Sequence, residues 1–123
     1  MKDFGLYEHE RTAAYPDYGV PAAEAVASGE CDAGVLICGT GIGMSLCANK
    51  IKGVRCAVCT DVATASATRK HNDSNVIALG ARVITLETAL ELVKTFFDTP
   101  FSGEERHARR LSKIASLEEK NFK

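Results

Sequence analysis

A cysteine at the end of an apolar run opens a loop in which every second residue is glycine. The run ends at Cys38, and the loop after it comprises Gly39, Thr40, Gly41, Ile42 and Gly43. Glycine lets a backbone turn sharply and approach a ligand closely. Because N–H groups at the start of a following helix favour an anion, the loop could hold an anion or a developing oxyanion beside the thiol. A buried apolar cysteine is the alternative interpretation of Cys38.

Two familiar functions of glycine loops fit this segment poorly. A phosphate-binding P-loop ends in Gly-Lys-Ser/Thr, which is absent. In a dinucleotide fingerprint, Gly-x-Gly-x-x-Gly, Met44 would occupy the third glycine position. Asp61 does lie at about the distance of the carboxylate that binds ribose, roughly 20 residues on, so nucleotide binding stays as an alternative.

Further along the chain, other side chains could bind or react with a small molecule. His71 and Asn72 precede an apolar run, and a histidine can act as acid or base near neutral pH. Alone, such a histidine is more often a surface or capping residue. Arg106 and Arg110 are four residues apart, so they lie on one helix face and could hold one phosphate. A solvated, charged helix face is the alternative.

Strand and helix patterns alternate along the chain, which predicts an α/β fold with a parallel sheet. The apolar runs do not alternate with polar residues, as expected for strands covered on both faces, and they predict three α/β/α layers. The predicted strands span 34–38, 54–59 and 75–80, and the predicted helices span 21–28, 44–51, 61–70, 86–97 and 104–120. Asp61 is the predicted cap of the third helix.

Composition indicates one globular domain, residues 1–123. Hydrophobic residues make up 46% and charged residues 25%, and the net charge of −1 offers no positive excess for nucleic acid. No apolar run is long enough to cross a membrane, and the N-terminus has no apolar signal core, so we expect a cytoplasmic protein. Five cysteines suggest no disulfide framework. Cys56 and Cys59 should face opposite sides of a strand, so we expect no metal site there.

Five motifs in order identify a family. They are Ile37–Ser45 followed by Ala48-Asn49-Lys50 and Gly53-Val54-Arg55; Tyr15-Pro16-Asp17-Tyr18; Arg69-x-His71-Asn72-Asp73-x-Asn75-Val76; Leu79-Gly80-x-Arg82; and Arg106-His107-x-x-Arg110. Together they closely resemble the sugar-phosphate isomerase family of type B ribose-5-phosphate isomerase, which includes the galactose-6-phosphate isomerase subunits. The resemblance spans nearly the whole chain.

The resemblance implies a cofactor-independent aldose–ketose isomerase. It would interconvert ribose 5-phosphate and ribulose 5-phosphate, or a related allose, galactose or tetrose phosphate, by proton transfer through an enediolate. Cys38 matches the family's base, Thr40 the hydroxyl beside it, and His71 the histidine that opens the furanose ring. Substrate-binding roles are implied for Gly39, Gly41, Ile42, Gly43, Asn72, Arg82, Arg106 and Arg110. A degenerate, non-catalytic module that binds a sugar phosphate or a nucleotide is the alternative.

The resemblance also implies a shared site. His71, Asn72 and Arg82 would act on substrate held by the Cys38 loop of a second subunit, in a homodimer or a dimer of dimers. The implied sheet is Rossmann-like, of 2-1-3-4-5 type, and family members begin with a strand and an acidic loop that this chain lacks. Neither Asp3 nor His9 replaces that loop. We therefore expect an N-terminally shortened chain without the first strand-helix unit, in which residues 2–4 are the end of a strand.

Overall fold

Helices and strands alternate along residues 1–5 and 14–122, the part of the chain that this computed structural model describes. The elements are α1 (Pro16–Ala27), β1 (Gly34–Cys38), α2 (Ile42–Ala48), β2 (Cys56–Val58), α3 (Val62–Asn72), β3 (Val76–Gly80), α4 (Leu86–Asp98) and α5 (Glu105–Asn121). The α/β class is confirmed.

The three strands form a parallel sheet in the order β1-β3-β2. Gly34 pairs with Val76, and Cys38 pairs with Gly80. The expected 2-1-3-4-5 type, in which consecutive strands would be neighbours here, is therefore wrong for this part of the sheet. The observed order puts β3, with five buried residues, at the centre and β2, with three half-buried residues, at one side.

The sheet is covered on both faces, as predicted. On one face, α1 and α2 pack through Ala23, Val26, Met44 and Ala48 against Leu36, Val76 and Ala78. On the other face, Ala65 of α3 and Leu92 and Phe96 of α4 pack against Ile77 and Leu79. Successive residues of β3 thus enter opposite cores, which confirms the three α/β/α layers.

The Cys-x-x-Cys pair follows the same alternation. Cys56 packs against the core beneath α1 and α2, and Cys59 belongs to the core beneath α3 and α4. Burial raises the pKa of the Cys56 thiol to about 12. Among residues 1–5 and 14–122, no cluster of histidine, cysteine or carboxylate side chains could hold a metal ion. The interpretation of this pair as core residues is confirmed.

Helix boundaries follow local capping chemistry. Asp61 caps α3 as predicted, because its Oδ1 accepts a hydrogen bond of 2.8 Å from the Thr64 N–H. The prediction that α1 starts at Pro21 is wrong: the helix starts at Pro16 and contains Pro21. Proline is favourable in the first turn of a helix, where its missing N–H has no partner to lose.

The first residues form neither helix nor strand. Residues 1–5 are irregular, so the interpretation of residues 2–4 as a strand end is not borne out; Lys2 makes an ion pair of 2.7 Å with Glu30. His9 lies outside the described residues. A groove of about 1180 Å³ runs along the outer side of β1 and is lined by Phe4, Tyr15 and Cys38 among others. No helix in the described part of the chain could cross a bilayer.

Candidate active site

Cys38 is the last residue of β1, and its half-buried thiol faces the backbone of the loop that follows. The N–H of Gly41 donates a hydrogen bond of 3.2 Å to Cys38 Sγ. This N–H is part of the turn that starts α2. A backbone dipole therefore points at the sulfur, in the direction that stabilises negative charge on it.

Two glycines let the loop lie directly on the end of β3. Gly41 has φ +83°, in the left-handed region, and a Cβ there would lie 3.0 Å from the carbonyl carbon of Leu79. At Gly80, a Cβ would lie 2.7 Å from the carbonyl carbon of Thr40. Both positions exclude larger residues, because backbone atoms and not flexible side chains fill the space.

The loop is also tied to the segment after β3. The N–H of Ala81 donates to the Cys38 carbonyl at 2.8 Å, and the N–H of Arg82 donates to the Gly39 carbonyl at 3.0 Å. The exposed Arg82 side chain lies along Gly39, since a Cβ on that glycine would be 3.5 Å from Arg82 Cδ. The Arg82 side chain thus borders the loop of its own chain. Its implied role toward a second subunit's loop stays a prediction.

The remaining loop residues are placed as follows. Thr40 Oγ1 accepts a hydrogen bond of 3.3 Å from the Ile42 N–H, so in this structure the hydroxyl stabilises the turn. The side chain of Ile42 is exposed. The ring of Tyr15 covers Gly43, where a Cβ would lie 2.7 Å from Tyr15 Cζ. The aromatic ring therefore forms one wall of the loop, a contact that the sequence pattern does not indicate.

His71 and Asn72 lie at the other end of the parallel strands from Cys38. The end of the strands that holds Cys38 is called the carboxyl edge, and the other end is called the amino edge. Helix α3 begins after the carboxyl end of β2 and returns to the amino edge, where it ends at Asn72 before β3 begins at Val76. Cys38 and Gly80 lie four residues further along the strands. At about 3.3 Å per residue, the two edges are about 13 Å apart. Within one chain, His71 and Cys38 therefore lie far apart.

The beginning of α5 joins His71 at the amino edge. The imidazole of His107 stacks on that of His71, with ring centroids 4.5 Å apart and an angle of 17° between the planes. Arg106 donates from Nε to Glu104 Oε2 at 3.2 Å. Arg106 and Arg110 are exposed and lie four residues apart on α5, the helix that the sequence predicts for them. The candidate residues thus form two groups, one at each edge.

Comparison with known proteins matches residues 1–114 to the Ribose/Galactose Isomerase family. The chain is 56% identical over 108 residues to the protein YwlF of Bacillus subtilis, covering 88% of this chain and 72% of YwlF. It is 44% identical over 118 residues to ribose-5-phosphate isomerase B of Escherichia coli, covering 96% of this chain and 78% of the relative.

The chain belongs to the Ribose/Galactose Isomerase family. The fold agrees: ribose-5-phosphate isomerase B of Clostridium thermocellum superposes with a TM-score of 0.92 at 50% identity, covering 97% of this chain and 79% of that one. The protein is therefore a sugar-phosphate isomerase of the aldose–ketose type, and the resemblance drawn from the five motifs is confirmed.

Three residues that lie in or beside the two groups have no role predicted from the sequence. They are Tyr15, Gly80 and His107. Each stands inside one of the quoted motifs. His107 carried a further signal, because it shares the apolar stripe of α5 with Leu111 and Ile114 at helical spacing. A histidine in an apolar stripe indicates a buried polar group, which requires a partner.

Proposed function

We propose that this isomerase interconverts ribose 5-phosphate and ribulose 5-phosphate without a cofactor, at sites that are each built from two copies of the chain. The observation that carries the proposal is the placement of the candidate residues. Cys38 and an N–H-rich loop lie at the carboxyl edge of the sheet, whereas His71, Asn72 and two arginines lie at the amino edge.

Proton transfer is assigned to Cys38. The thiolate takes the proton from C2 of the open-chain aldose, which leaves an enediolate, and the same proton is returned at C1. The proton of the O2 hydroxyl moves to O1, so that the aldehyde becomes a hydroxymethyl group and C2 becomes the ketone. No electron acceptor or metal is consumed in this balance.

Backbone N–H groups of the glycine loop stabilise the enediolate. The Gly41 N–H already points at Cys38 Sγ at 3.2 Å, so charge that leaves the sulfur develops within reach of the same loop. Residues 39–43 are held in place by the contacts of Gly41 and Gly80 with neighbouring backbone. Donors fixed in this way before the reaction need no reorganisation in the transition state.

Ring opening and phosphate binding are assigned to the amino edge. His71 acts on the furanose ring, Asn72 binds the sugar, and Arg106 and Arg110 provide two guanidinium groups for the phosphate. The two edges are assigned to different chains because they lie about 13 Å apart at opposite ends of the strands, with the sheet between them. The amino edge of one chain therefore serves the loop of another, as in a dimer with two-fold symmetry.

Ribose 5-phosphate is the favoured substrate because the similar proteins of E. coli and C. thermocellum carry that activity in their names. Five free cysteines in the described chain suit a reducing compartment, which supports the cytoplasm as the location.

Turnover of a panel of sugar phosphates tests the proposal. We expect kcat/KM to be at least about tenfold higher for ribose 5-phosphate than for allose 6-phosphate, galactose 6-phosphate or erythrose 4-phosphate. Replacement of the base, Cys38→Ala, should lower kcat by about 10²- to 10⁴-fold with an unchanged circular dichroism spectrum. Cys47→Ala, on the helix that follows the same loop, is the matched control and should retain activity.

Two results would overturn it. Binding of ribose 5-phosphate without turnover, measured by calorimetry, would indicate a non-catalytic sugar-phosphate module. Undiminished turnover by Cys38→Ala would remove this residue from the role of base.

A further inference from the structure

His107 is unusual among the residues of α5. Its side chain is 5% exposed. Of the residues that the structure describes on this helix, His107 alone is buried. A histidine is costly to bury unless its ring nitrogens have partners or its ring has a packing role. Yet Nε2 has no hydrogen-bond partner among the described residues: Glu104 Oε2 is 3.0 Å away but off the direction of a ring N–H bond.

The packing role is visible in the contact with His71. The two imidazoles are stacked within 17° of parallel at 4.5 Å. His71 is exposed and stands one residue before the end of α3, where a side chain has few neighbours to hold it. His107 therefore covers one face of the exposed His71 ring.

The charges around His107 suit a passive support. Burial lowers the pKa of His107, and so do the neighbouring His71 and Arg106, whereas Glu104 raises it. Arg110 lowers it further. The net direction keeps His107 neutral near pH 7, so the ring that packs on His71 adds no positive charge beside it.

We propose that His107 is a positioning residue: its buried ring holds the His71 imidazole in the orientation that opens the furanose ring of the substrate. This inference rests on the proposed function. In ring opening, a proton leaves the O1 hydroxyl, the bond between C1 and the ring oxygen O4 breaks, and O4 gains a proton, so the products are the aldehyde and the O4 hydroxyl. The catalytic group must reach O4 with fixed geometry, and a misplacement of about 1 Å can cost about 10²-fold.

Loss of this positioning should slow only the conversion of ribose 5-phosphate to ribulose 5-phosphate. Ribulose 5-phosphate is acyclic, because its C5 oxygen carries the phosphate and cannot close a furanose ring. Its conversion can end with release of the aldehyde, which cyclises in solution. Ribose 5-phosphate is cyclic, and an enzyme that does not open the ring depends on spontaneous opening. Its rate then stops rising with enzyme concentration.

The experiment compares His107→Ala with His107→Phe in both directions over a range of enzyme concentrations, with His71→Ala as the reference. For His107→Ala we expect the ribose 5-phosphate rate to reach a plateau at least about tenfold below the wild-type rate, as for His71→Ala, with ribulose 5-phosphate turnover within about threefold of wild type. His107→Phe retains an aromatic ring and should restore proportionality to enzyme concentration. Leu111→Ala, which loosens α5 elsewhere, should lower both directions equally.

A second measurement does not depend on activity. The Hε1 proton of His71, assigned in NMR spectra by its loss in His71→Ala, should lie upfield in the wild type through the ring current of His107. It should shift downfield in His107→Ala and stay upfield in His107→Phe. An unchanged His71 resonance in His107→Ala, an equal loss in both directions, or a His107→Phe variant as impaired as His107→Ala would overturn the inference. Absence of wild-type turnover would instead contradict the proposed function and leave the NMR result to decide on the stack.

Discussion

The carboxyl edge and the amino edge of the sheet carry the candidate residues in different ways. At the carboxyl edge, consecutive residues 38–43 form a loop whose backbone N–H groups carry the chemistry, and glycines allow it to pack on β3. At the amino edge, side chains from α3 and α5 come together, and the His71–His107 stack connects the two helices.

The difference has an electrostatic side. The loop offers neutral dipoles, which can stabilise a charge that forms and disappears during proton transfer. The amino edge offers full positive charges on Arg106 and Arg110, which suit a permanent anion such as a phosphate. Because each edge has half of the required chemistry and the sheet separates them, the comparison predicts that the site is completed by a second chain.

The largest effect is expected from mixing two variants that are each impaired in ribose 5-phosphate turnover. Cys38→Ala and His71→Ala damage opposite edges, so their mixture under subunit exchange should recover up to about one quarter of the wild-type activity. Random pairing makes half of the dimers mixed, and each mixed dimer has one intact site. The measurement is ribose 5-phosphate turnover after exchange, which mass spectrometry of isotope-labelled subunits verifies.

The matched control is a mixture of Cys38→Ala with Arg82→Ala. Arg82 lies along Gly39 of its own chain, so both substitutions fall on the same half-site and no activity should return. Recovery in this control, or none in the first mixture despite verified exchange, would mean that the division into two edges is wrong.

A smaller effect tests the loop itself. Gly41 and Gly29 both have a positive φ, but only at Gly41 would a Cβ also meet nearby backbone; at Gly29 nothing lies within 4 Å. Gly29→Ala should lower the free energy of unfolding by about 1–2 kcal/mol and retain activity. Gly41→Ala should lose about 1–3 kcal/mol more, and turnover should fall at least about tenfold. Equal unfolding free energies of the two variants in urea titrations would show that the loop does not press on β3.

The smallest effect concerns acid stability at the amino edge. The pKa of His107 is lowered in the folded protein, so the unfolded chain binds its proton more readily and stability falls as the pH drops below about 6.5. The groups facing His107 are His71 on α3, Glu104 just before α5, and Arg106 and Arg110 on α5. His107→Phe removes this group and should lessen the decrease in the urea midpoint between about pH 7 and about pH 5. An identical decrease in both proteins would assign the acid sensitivity to other groups.

Much of the fold followed from local pattern. The range of β1 and the Asp61 cap were predicted because an apolar run and a capping carboxylate act over a few residues. The start of α1 was not, because a proline indicates a helix start equally well at Pro21 and at Pro16, and the helix begins at Pro16. The strand order was also missed, because the neighbours of a strand are set by tertiary contacts and not by the order of the strands in the chain.

By itself, the sequence determined the α/β class, the glycine loop after Cys38 and the family, because these depend on contiguous motifs and on apolar periodicity. The tertiary structure decided which residues become neighbours. It placed Arg82 beside the loop of its own chain, buried His107 beneath His71, and put His71 and Cys38 at opposite edges of one sheet. The physical reason is that a helix between parallel strands must return to the amino edge before the next strand begins, so residues at its end are carried away from the loops that hold the base.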